Sequence, residues 1–370
     1  MKLEQVTLRH LRLPLVHHFE TSFGRVHHQE VVLVEVEADG VSAYGECAAG
    51  GGPYYSAEDA QTCLHALKDF LVPWALEVEF RSPKDLAPIA RRIRGHHIAK
   101  AGLEMALWDW FARTQDIPLA RAYGGTRESI DAGVSLGIED SHDELLARVA
   151  SFVEKGYRRV KVKVKPGWDL EVLEKIRARF PSLPLMVDAN AAYTLADADT
   201  IKTMDMFRLT MIEQPLDHDD LTDHAALAKV VETPICLDES IKKPADARKA
   251  IALQACRIIN IKPARVGGPT NAIEIHDHAL EKGVPVWCGG LLESGVGRLH
   301  NVALASLPGF TLPGDISGSD RYWVEDIVDP PIVVKADGTI AVPTGAGLGH
   351  QVVMERVDRR TVWTERIRKA

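Results

Sequence analysis

Residues Arg158–Leu170 read RRVKVKVKPGWDL, and three lysines alternate strictly with three valines within them. Alternation with β-branched residues specifies a strand, with Lys161, Lys163 and Lys165 on one face and the valines on the other. A solvated sheet edge uses lysine in this way to discourage pairing. A site that needs a lysine base gives the same pattern. Taken alone, the run reads as a solvated face, so its neighbours must decide.

The surrounding sequence has a repeating plan. Short apolar runs alternate with helix-length amphipathic segments such as DLEVLEKIRARF and LTDHAALAKVVE. The runs are GVSLGI, VKVKV, PLMVD, LTMIE, PICLD, IINIK, PVWC and TLPGD, eight in all. Eight strand-like runs alternating with helices specify an α/β fold of the (β/α)8 TIM-barrel type. An open doubly wound sheet is the competing arrangement. It lacks support, because no glycine fingerprint follows the first strand and the late GAGLGH has the wrong spacing.

Upstream of the barrel the first hundred residues read as α+β. LRHLRLPLV and EVVLVEVEA are strand-like, and GECAAGGGPYYS is a glycine-rich loop too soft to hold one shape alone. YYSAEDAQTCLHALKDFLVP reads as a helix with Ser56 as its N-cap. IAKAGLEMALWDWFARTQ is the strongest helix, with Leu103, Ala106, Leu107, Trp110 and Phe111 at helical spacing. The expected division is a capping region over 1–125, a barrel over 126–325, and a segment over 326–370 that returns to the cap. The returning segment carries an expected hairpin around Asp337-Gly338.

Composition narrows the function. The 370 residues are 46% hydrophobic and 26% charged, ordinary for a folded soluble protein. A net charge of −8 and a pI of about 6.0 argue against a nucleic-acid partner. The N-terminal MKLEQVTLRHLRLPLV has no apolar core of a signal peptide, and no apolar run is long enough for a membrane span. Five widely spaced cysteines and no export signal lead to an expected cytoplasmic location.

Three barrel runs end in an acid: Asp188 in LMVDAN, Glu213 in TMIEQP and Asp238 in ICLDES, at successive intervals of 25 residues. One βα unit is about this long, so equivalent strand ends carry the three acids, and barrel active sites lie at those ends. Each acid alone is explained as a helix N-cap or loop residue. Three converging carboxylates, however, repel one another unless a cation lies between them. All-oxygen ligation suits a hard divalent ion, Mg²⁺ above Ca²⁺ when only three acids are supplied.

Lys163 lies 25 residues before Asp188, on the second run, and Lys262 lies 24 residues after Asp238, on the sixth. These lie on opposite walls of an eight-strand barrel, with the acids between them. A bound divalent ion stabilises the charge that forms when a proton α to a carboxylate leaves. A lysine serves as the base where burial and nearby cations, Lys161 among them, lower its pKa. Opposed lysines take a proton from one face and return it to the other, which is racemisation.

Several motifs carry a family resemblance over nearly the whole chain: KVKVKPGWD, IEQPL, TPICLDES, NIKPARVGG, PVWCGGLLESGVGR, LPGDIS, and the N-terminal HFETSFG and AKAGLEMALWDW. Together they resemble the muconate-lactonizing-enzyme subgroup of the enolase superfamily. Within it they most resemble the N-succinylamino acid racemase / o-succinylbenzoate synthase family. A lysine or histidine base with Mg²⁺ stabilising an ene-diolate is the known pattern of enolase-superfamily sites.

The resemblance implies a barrel with an α+β cap, and Mg²⁺ (or Mn²⁺ or another divalent ion) on Asp188, Glu213 and Asp238. It implies acid/base roles for Lys163 and Lys262, with Lys161 in the K-x-K motif. Asn190 and Glu239 would lie near the metal and substrate carboxylate. Phe19, Ser22, Phe23 and Tyr55 would belong to mobile cap loops. Ser135 and the backbone of Gly290 and Leu291 would hold the acyl or succinyl part of a small carboxylate substrate. The implied reactions are racemisation of N-acyl, especially N-succinyl, amino acids, or the dehydration that gives o-succinylbenzoate in menaquinone synthesis. A homo-oligomer is expected.

Other readings carry less. Dipeptide epimerases of the subgroup show Asp-x-Asp where this chain has Asp315-Ile316-Ser317, one acid short. Muconate cycloisomerase shares the lysines, whereas mandelate-racemase-like members use histidine at the Lys262 position. A non-catalytic barrel that keeps the metal as a staple needs only the acids and leaves the lysines unexplained. His276 and His278, two apart on a helix, are a poor metal pair. The histidine pairs at 17–18, 27–28 and 96–97 read as polar loop residues. Cys288 reads as packing, and Lys165 as a rim or solvated residue.

Overall fold

A computed structural model describes residues 1–369. The first three strands, β1 (Gln5–Thr21), β2 (Gly24–Ala38) and β3 (Val41–Cys47), form an antiparallel sheet. The C-terminal strand Thr361–Arg368 completes it by pairing with β1, so the chain ends where it began. Most apolar residues of β1 and β2 are buried, whereas Val16 and Val26, toward the hairpin tip, are exposed.

The helix His97–Thr114 packs across β3. It is buried on nearly every side, Lys100, Glu104 and Asp109 included, so its surface is less one-sided than the apolar spacing predicts. The close approach depends on two glycines. A Cβ on Gly45 would lie 2.1 Å from the Gly102 carbonyl oxygen, and one on Gly102 would lie 2.3 Å from Cys47 Sγ.

The helix after the glycine-rich loop starts later than expected. Its N-cap is Asp59, whose side chain accepts from Thr62 N while Thr62 Oγ1 accepts from Asp59 N, a complete capping box. Ser56 closes a local turn instead, accepting from Glu58 N. Glu58 then accepts from the N–H groups of Ile98 and Ala99 at the start of the long helix.

The barrel strands are β4 (Gly133–Leu136), β5 (Arg159–Lys163), β6 (Leu185–Asp188), β7 (Ile212–Glu213), β8 (Ile235–Leu237), β9 (Ile258–Ile261) and β10 (Val286–Cys288). They are parallel and neighbours in that order. The eighth run, TLPGD, is not a regular strand. Pro313 has no N–H to donate, and the segment joins both edges only through isolated bridges, Phe310 to Val286 and Gly314 to Ala132. The bonds Asp315 N to Cys288 O and Gly133 N to Gly314 O still close the ring.

Alternation sorts the β5 side chains. Val160, Val162 and Val164 join the core between strands and helices, whereas Lys161 and Lys163 are buried inside the barrel. Below them Met186, Met211, Cys236, Ile258 and Trp287 form the interior floor. The Arg159 guanidinium and Lys161 ammonium lie 4.8 and 5.0 Å from a Trp287 ring centroid, within cation–π range.

Two carboxylates of the cap side bind the N-termini of the last two barrel helices. Glu46 accepts from Ser294 N and Gly297 N, at the start of helix Gly295–Ala305. Glu104 accepts from Thr270 N, in the first turn of helix Pro269–Glu281. Orphan N–H donors and the helix dipole favour an acid there. Asp337-Gly338 forms a tight hairpin turn, with Gly338 at φ 77° and the arms joined by Gly338 N to Lys335 O and Lys335 N to Thr339 O, but no longer ladder extends from it. Thr339–Ala341 instead pairs with Ser129–Asp131. Among the described residues no helix is long and apolar enough to cross a membrane.

Candidate active site

Lys163, Asp188 and Glu213 are successive partners across β5, β6 and β7. Glu213, however, pairs with Cys236, so Asp238 stands two residues further on, just past the end of β8. The 25-residue interval therefore selects the interior face but not one height; strand stagger in a barrel raises each later position. Carboxylate oxygens of Asp188, Glu213 and Asp238 nevertheless lie within 4.8 Å of one another, and all three residues are buried.

Lysines surround these acids. Lys161 Nζ lies 2.7 Å from Glu213 Oε2, 3.2 Å from Asp188 Oδ2 and 2.5 Å from Asp315 Oδ2. Lys163 Nζ donates to Asp188 Oδ2 at 2.7 Å and to Asn190 Oδ1 at 2.6 Å. From the opposite wall, Lys262 Nζ donates to Asp238 Oδ2 at 2.8 Å and to the Tyr55 hydroxyl at 3.0 Å. Tyr55 in turn donates to Asp238 Oδ1 at 2.9 Å, which brings the glycine-rich cap loop onto the acids. Lys165 lies at the rim, partly exposed and 3.7 Å from Glu20.

Burial and charge compete at each group. Burial raises Asp188, but Lys163 and Lys161 overcome it and hold the carboxyl well below its usual range. Burial and the neighbouring Asp188 push Glu213 up. Burial, followed by Asp188, lifts Glu239 to about 7. Burial lowers Lys161, but Asp315, Glu213 and Asp188 raise it further. Lys262 follows the same rule, with Tyr55, Glu213 and Glu239 outweighing burial.

Asn190 Nδ2 donates to Glu239 Oε1 at 2.8 Å, so these two residues adjoin the acids as expected. The other oxygen of Glu239 is buried without a partner. An orphan carboxylate oxygen beside three clustered carboxylates fits a cation site, and the all-oxygen donor set fits a hard divalent ion.

Above the lysines lies a cavity of about 370 Å³. Lys161, Lys163, Lys262 and Asn190 line its base, and Phe19, Phe23, Tyr55, Ser135, Gly290 and Leu291 line its walls. Ser22 is not on the wall; its hydroxyl donates to Asn190 O at 3.3 Å. Both backbone groups of Leu291 are already engaged, the N–H by Glu293 Oε1 at 2.8 Å and the carbonyl by Gln29 Nε2 at 2.7 Å. That use leaves neither free in this structure to bind an acyl group.

Several site residues carry no role in the sequence reading, which names Asp315 only within an incomplete Asp-x-Asp. Asp315 also lines the cavity and accepts from Arg159 at 2.7 Å, and Lys161 and Arg159 hold it near 2 against the effect of burial. Asn260 donates to Glu213 Oε1 at 2.6 Å. Arg159 and Asn260 each precede a chosen lysine by two residues, so the period of the strand marks both. Arg265 bonds Asp238 and Ile241 O from a loop, where no periodicity marks it. Cys288 is buried, and burial pushes its thiol up, in keeping with packing. His276 stacks on Phe310 and accepts from Gly309 N, a structural role.

Comparison with known proteins agrees with this architecture. Residues 4–124 match the mandelate racemase / muconate lactonizing enzyme N-terminal domain, and residues 144–356 match the enolase C-terminal domain-like family. The chain is 50% identical over 362 residues to o-succinylbenzoate synthase of Geobacillus stearothermophilus, covering 98% of this chain and 96% of that one. It is 44% identical over 363 residues to N-succinylamino acid racemase of Thermus thermophilus, covering 98% of each. The structure of an enolase-superfamily member from Listeria innocua matches with a TM-score of 0.95 at 39% identity, covering 100% of this chain and 99% of that one. The chain is thus an enzyme of the enolase superfamily, within the family that unites mandelate racemase and muconate lactonizing enzyme.

Proposed function

We propose that this enzyme removes a proton α to a carboxylate, and that it acts as an N-succinylamino acid racemase, an o-succinylbenzoate synthase, or both. The observation that carries the reading is the pair of buried lysines, Lys163 and Lys262, reaching the cavity base from strands separated by the three acid-bearing strands. The activities named for relatives at 44–50% identity support it.

Mg²⁺ held by Asp188, Glu213 and Asp238 would bind the substrate carboxylate and stabilise the negative charge that develops there. Lys163 takes the α-proton from one face. In racemisation Lys262 delivers a proton to the opposite face, and the roles exchange for the other antipode. In the dehydration one lysine takes the α-proton and returns it to the departing hydroxyl, so that water leaves, and the other stabilises by charge. Asn190 and Tyr55 orient the two amines through the hydrogen bonds they already make. Phe19, Phe23 and Tyr322 cover the cavity with apolar surface, which limits water at the reacting carbon.

The dipeptide epimerase reading is less supported. Asp315 is paired with both Lys161 and Arg159, which leaves it poorly placed to bind a substrate ammonium. The test is incubation of N-succinyl amino acids of each hand in D₂O with Mg²⁺, followed by NMR and chiral analysis, beside an assay of o-succinylbenzoate formation. α-Deuteration with loss of optical purity supports the racemase. Synthase turnover without any α-exchange restricts the enzyme to the dehydration.

A further inference from the structure

The hairpin arm of the cap carries two consecutive histidines that the cavity does not use. His17 and His18 belong to β1, not to a loop as their sequence suggests. Pairing with β2 runs to Pro14 opposite His28 and resumes at Phe19 opposite Val26. Leu15 to His18 thus face the single residue His27 across the hairpin. Consecutive side chains of a regular strand point to opposite faces, whereas extra residues on one strand re-aim them. Here the two imidazoles stack, with centroids 4.3 Å apart.

Both rings reach one carboxylate of the barrel. His17 Nε2 lies 2.9 Å, and His18 Nε2 3.8 Å, from Glu139 Oε2, three residues past β4. Glu139 is buried, and its other oxygen forms an ion pair with Arg148 Nε at 2.8 Å. A simple His17–Glu139 ion pair explains only part of this arrangement, because His18 Nε2 is buried and has no hydrogen-bond partner.

We propose that His17, His18 and Glu139 form a second metal site, for a borderline divalent ion such as Zn²⁺, with water completing the shell on the open side of His17. One donor atom from each residue already lies within 4.8 Å of the others. Reaching the roughly 3.3 Å separations of a tetrahedral site means opening the 2.9 Å His17–Glu139 contact and shortening the 3.8 Å His18–Glu139 one, each by about half an ångström. Two imidazoles and one carboxylate prefer Zn²⁺ to Mg²⁺, whereas the three-carboxylate cluster prefers a hard ion, so the two sites select different metals. The bound ion would join the cap arm to the barrel rim. That arm supplies Phe19, Phe23 and Val26 to the cavity wall, so the ion would hold the wall in place.

The test uses the full chain with Mg²⁺ in excess. Zn²⁺ is titrated by calorimetry and Co²⁺ by visible absorption, in the wild type and in His18→Ala and His17→Asn. The wild type should bind one more Zn²⁺ equivalent than either variant, and its Co²⁺ complex should show the strong visible bands of a four- or five-coordinate ion. Each variant should weaken this binding at least tenfold while keeping Mg²⁺-dependent activity, which shows that it folds. His17→Asn changes the more exposed ring and so serves if His18→Ala is unstable. Equal stoichiometry and spectra in all three proteins, or no Zn²⁺ bound in the presence of Mg²⁺, would overturn the proposal.

Discussion

Lys163 and Asp188 are direct partners across adjacent barrel strands, and the lysine Nζ lies 2.7 Å from Asp188 Oδ2. The ammonium that must lose its proton is therefore held by a carboxylate that the proposed mechanism gives to a metal. A divalent ion on the three acids would compete with the lysine for that oxygen. Mg²⁺ should thus be both activator and stabiliser. At a hundredfold excess over its dissociation constant it should add about 2.7 kcal/mol of stability. Urea melts with and without Mg²⁺ measure this, and a chelator should remove the activity. A protein indifferent to every divalent ion would exclude the acids as a metal site.

Asp315 neutralises Lys161 and Arg159 inside the barrel. Asp315→Asn keeps the shape but leaves two buried cations short of a partner. The expected cost is about 3 kcal/mol, read from urea denaturation, with a fall in kcat as Lys161 shifts toward Asp188 and Glu213. Unchanged stability and kcat would show that the remaining acids suffice.

Glu104 has a raised carboxyl pKa of about 7, because burial outweighs its bonds to Thr270 and Trp108. Glu46 is raised to about 7 as well, by burial against its bonds to Ser294 and Gly297. Between pH 4.5 and 7 the folded protein holds these protons and the unfolded chain does not. Their contribution is full below pH 4.5 and is lost as pH rises through 7, about 3 kcal/mol per group at most. Burial lowers His300 and His97 to about 4, and their contribution is lost instead as pH falls from 6.5 through 4. The difference between proteins isolates one term: stability of Glu104→Gln relative to wild type should rise by up to that amount between pH 5 and 8. A difference that is flat with pH would show that Glu104 is ionised throughout.

Gly45→Ala places a Cβ 2.1 Å from the Gly102 carbonyl oxygen and 2.6 Å from Ala106 N. Both obstacles are backbone, so the helix must move off β3. The expected loss is about 3 kcal/mol, the upper end for overpacking, measured by thermal or urea unfolding. A loss under 1 kcal/mol would mean the sheet and helix are less tightly docked than the structure has them.

The barrel plan and the central acids were legible because both rest on short periods. Interior side chains recur every two residues on a strand, and βα units recur every 25, so Lys163, Asp188, Glu213 and Asp238 fall on one count. The same count misplaced Asp238 in height, since strand stagger leaves no trace in spacing. Arg159 and Asn260 obeyed the period of two and were there to be read. Arg265, Glu46 and Glu104 act across long sequence separations, where no local pattern records the partner. The eighth run looked like a strand because it is short and partly apolar, but Pro313 keeps it from regular pairing. His17 and His18 looked like loop residues because two adjacent polar rings break the alternation, and the interruption in β1 is what accommodates them.

The central claim is that Lys163 and Lys262 act on opposite faces of one α-carbon. The most direct measurement is α-deuterium incorporation into L- and D-N-succinyl amino acids in D₂O by Lys163→Ala and Lys262→Ala. Each variant should lose racemisation by 10²–10⁴-fold. Each should retain exchange with only the antipode whose α-proton faces its remaining lysine, and the two variants should retain opposite antipodes. Racemisation by either variant at near wild-type rate, or the same antipode exchanged by both, would contradict the two-lysine account.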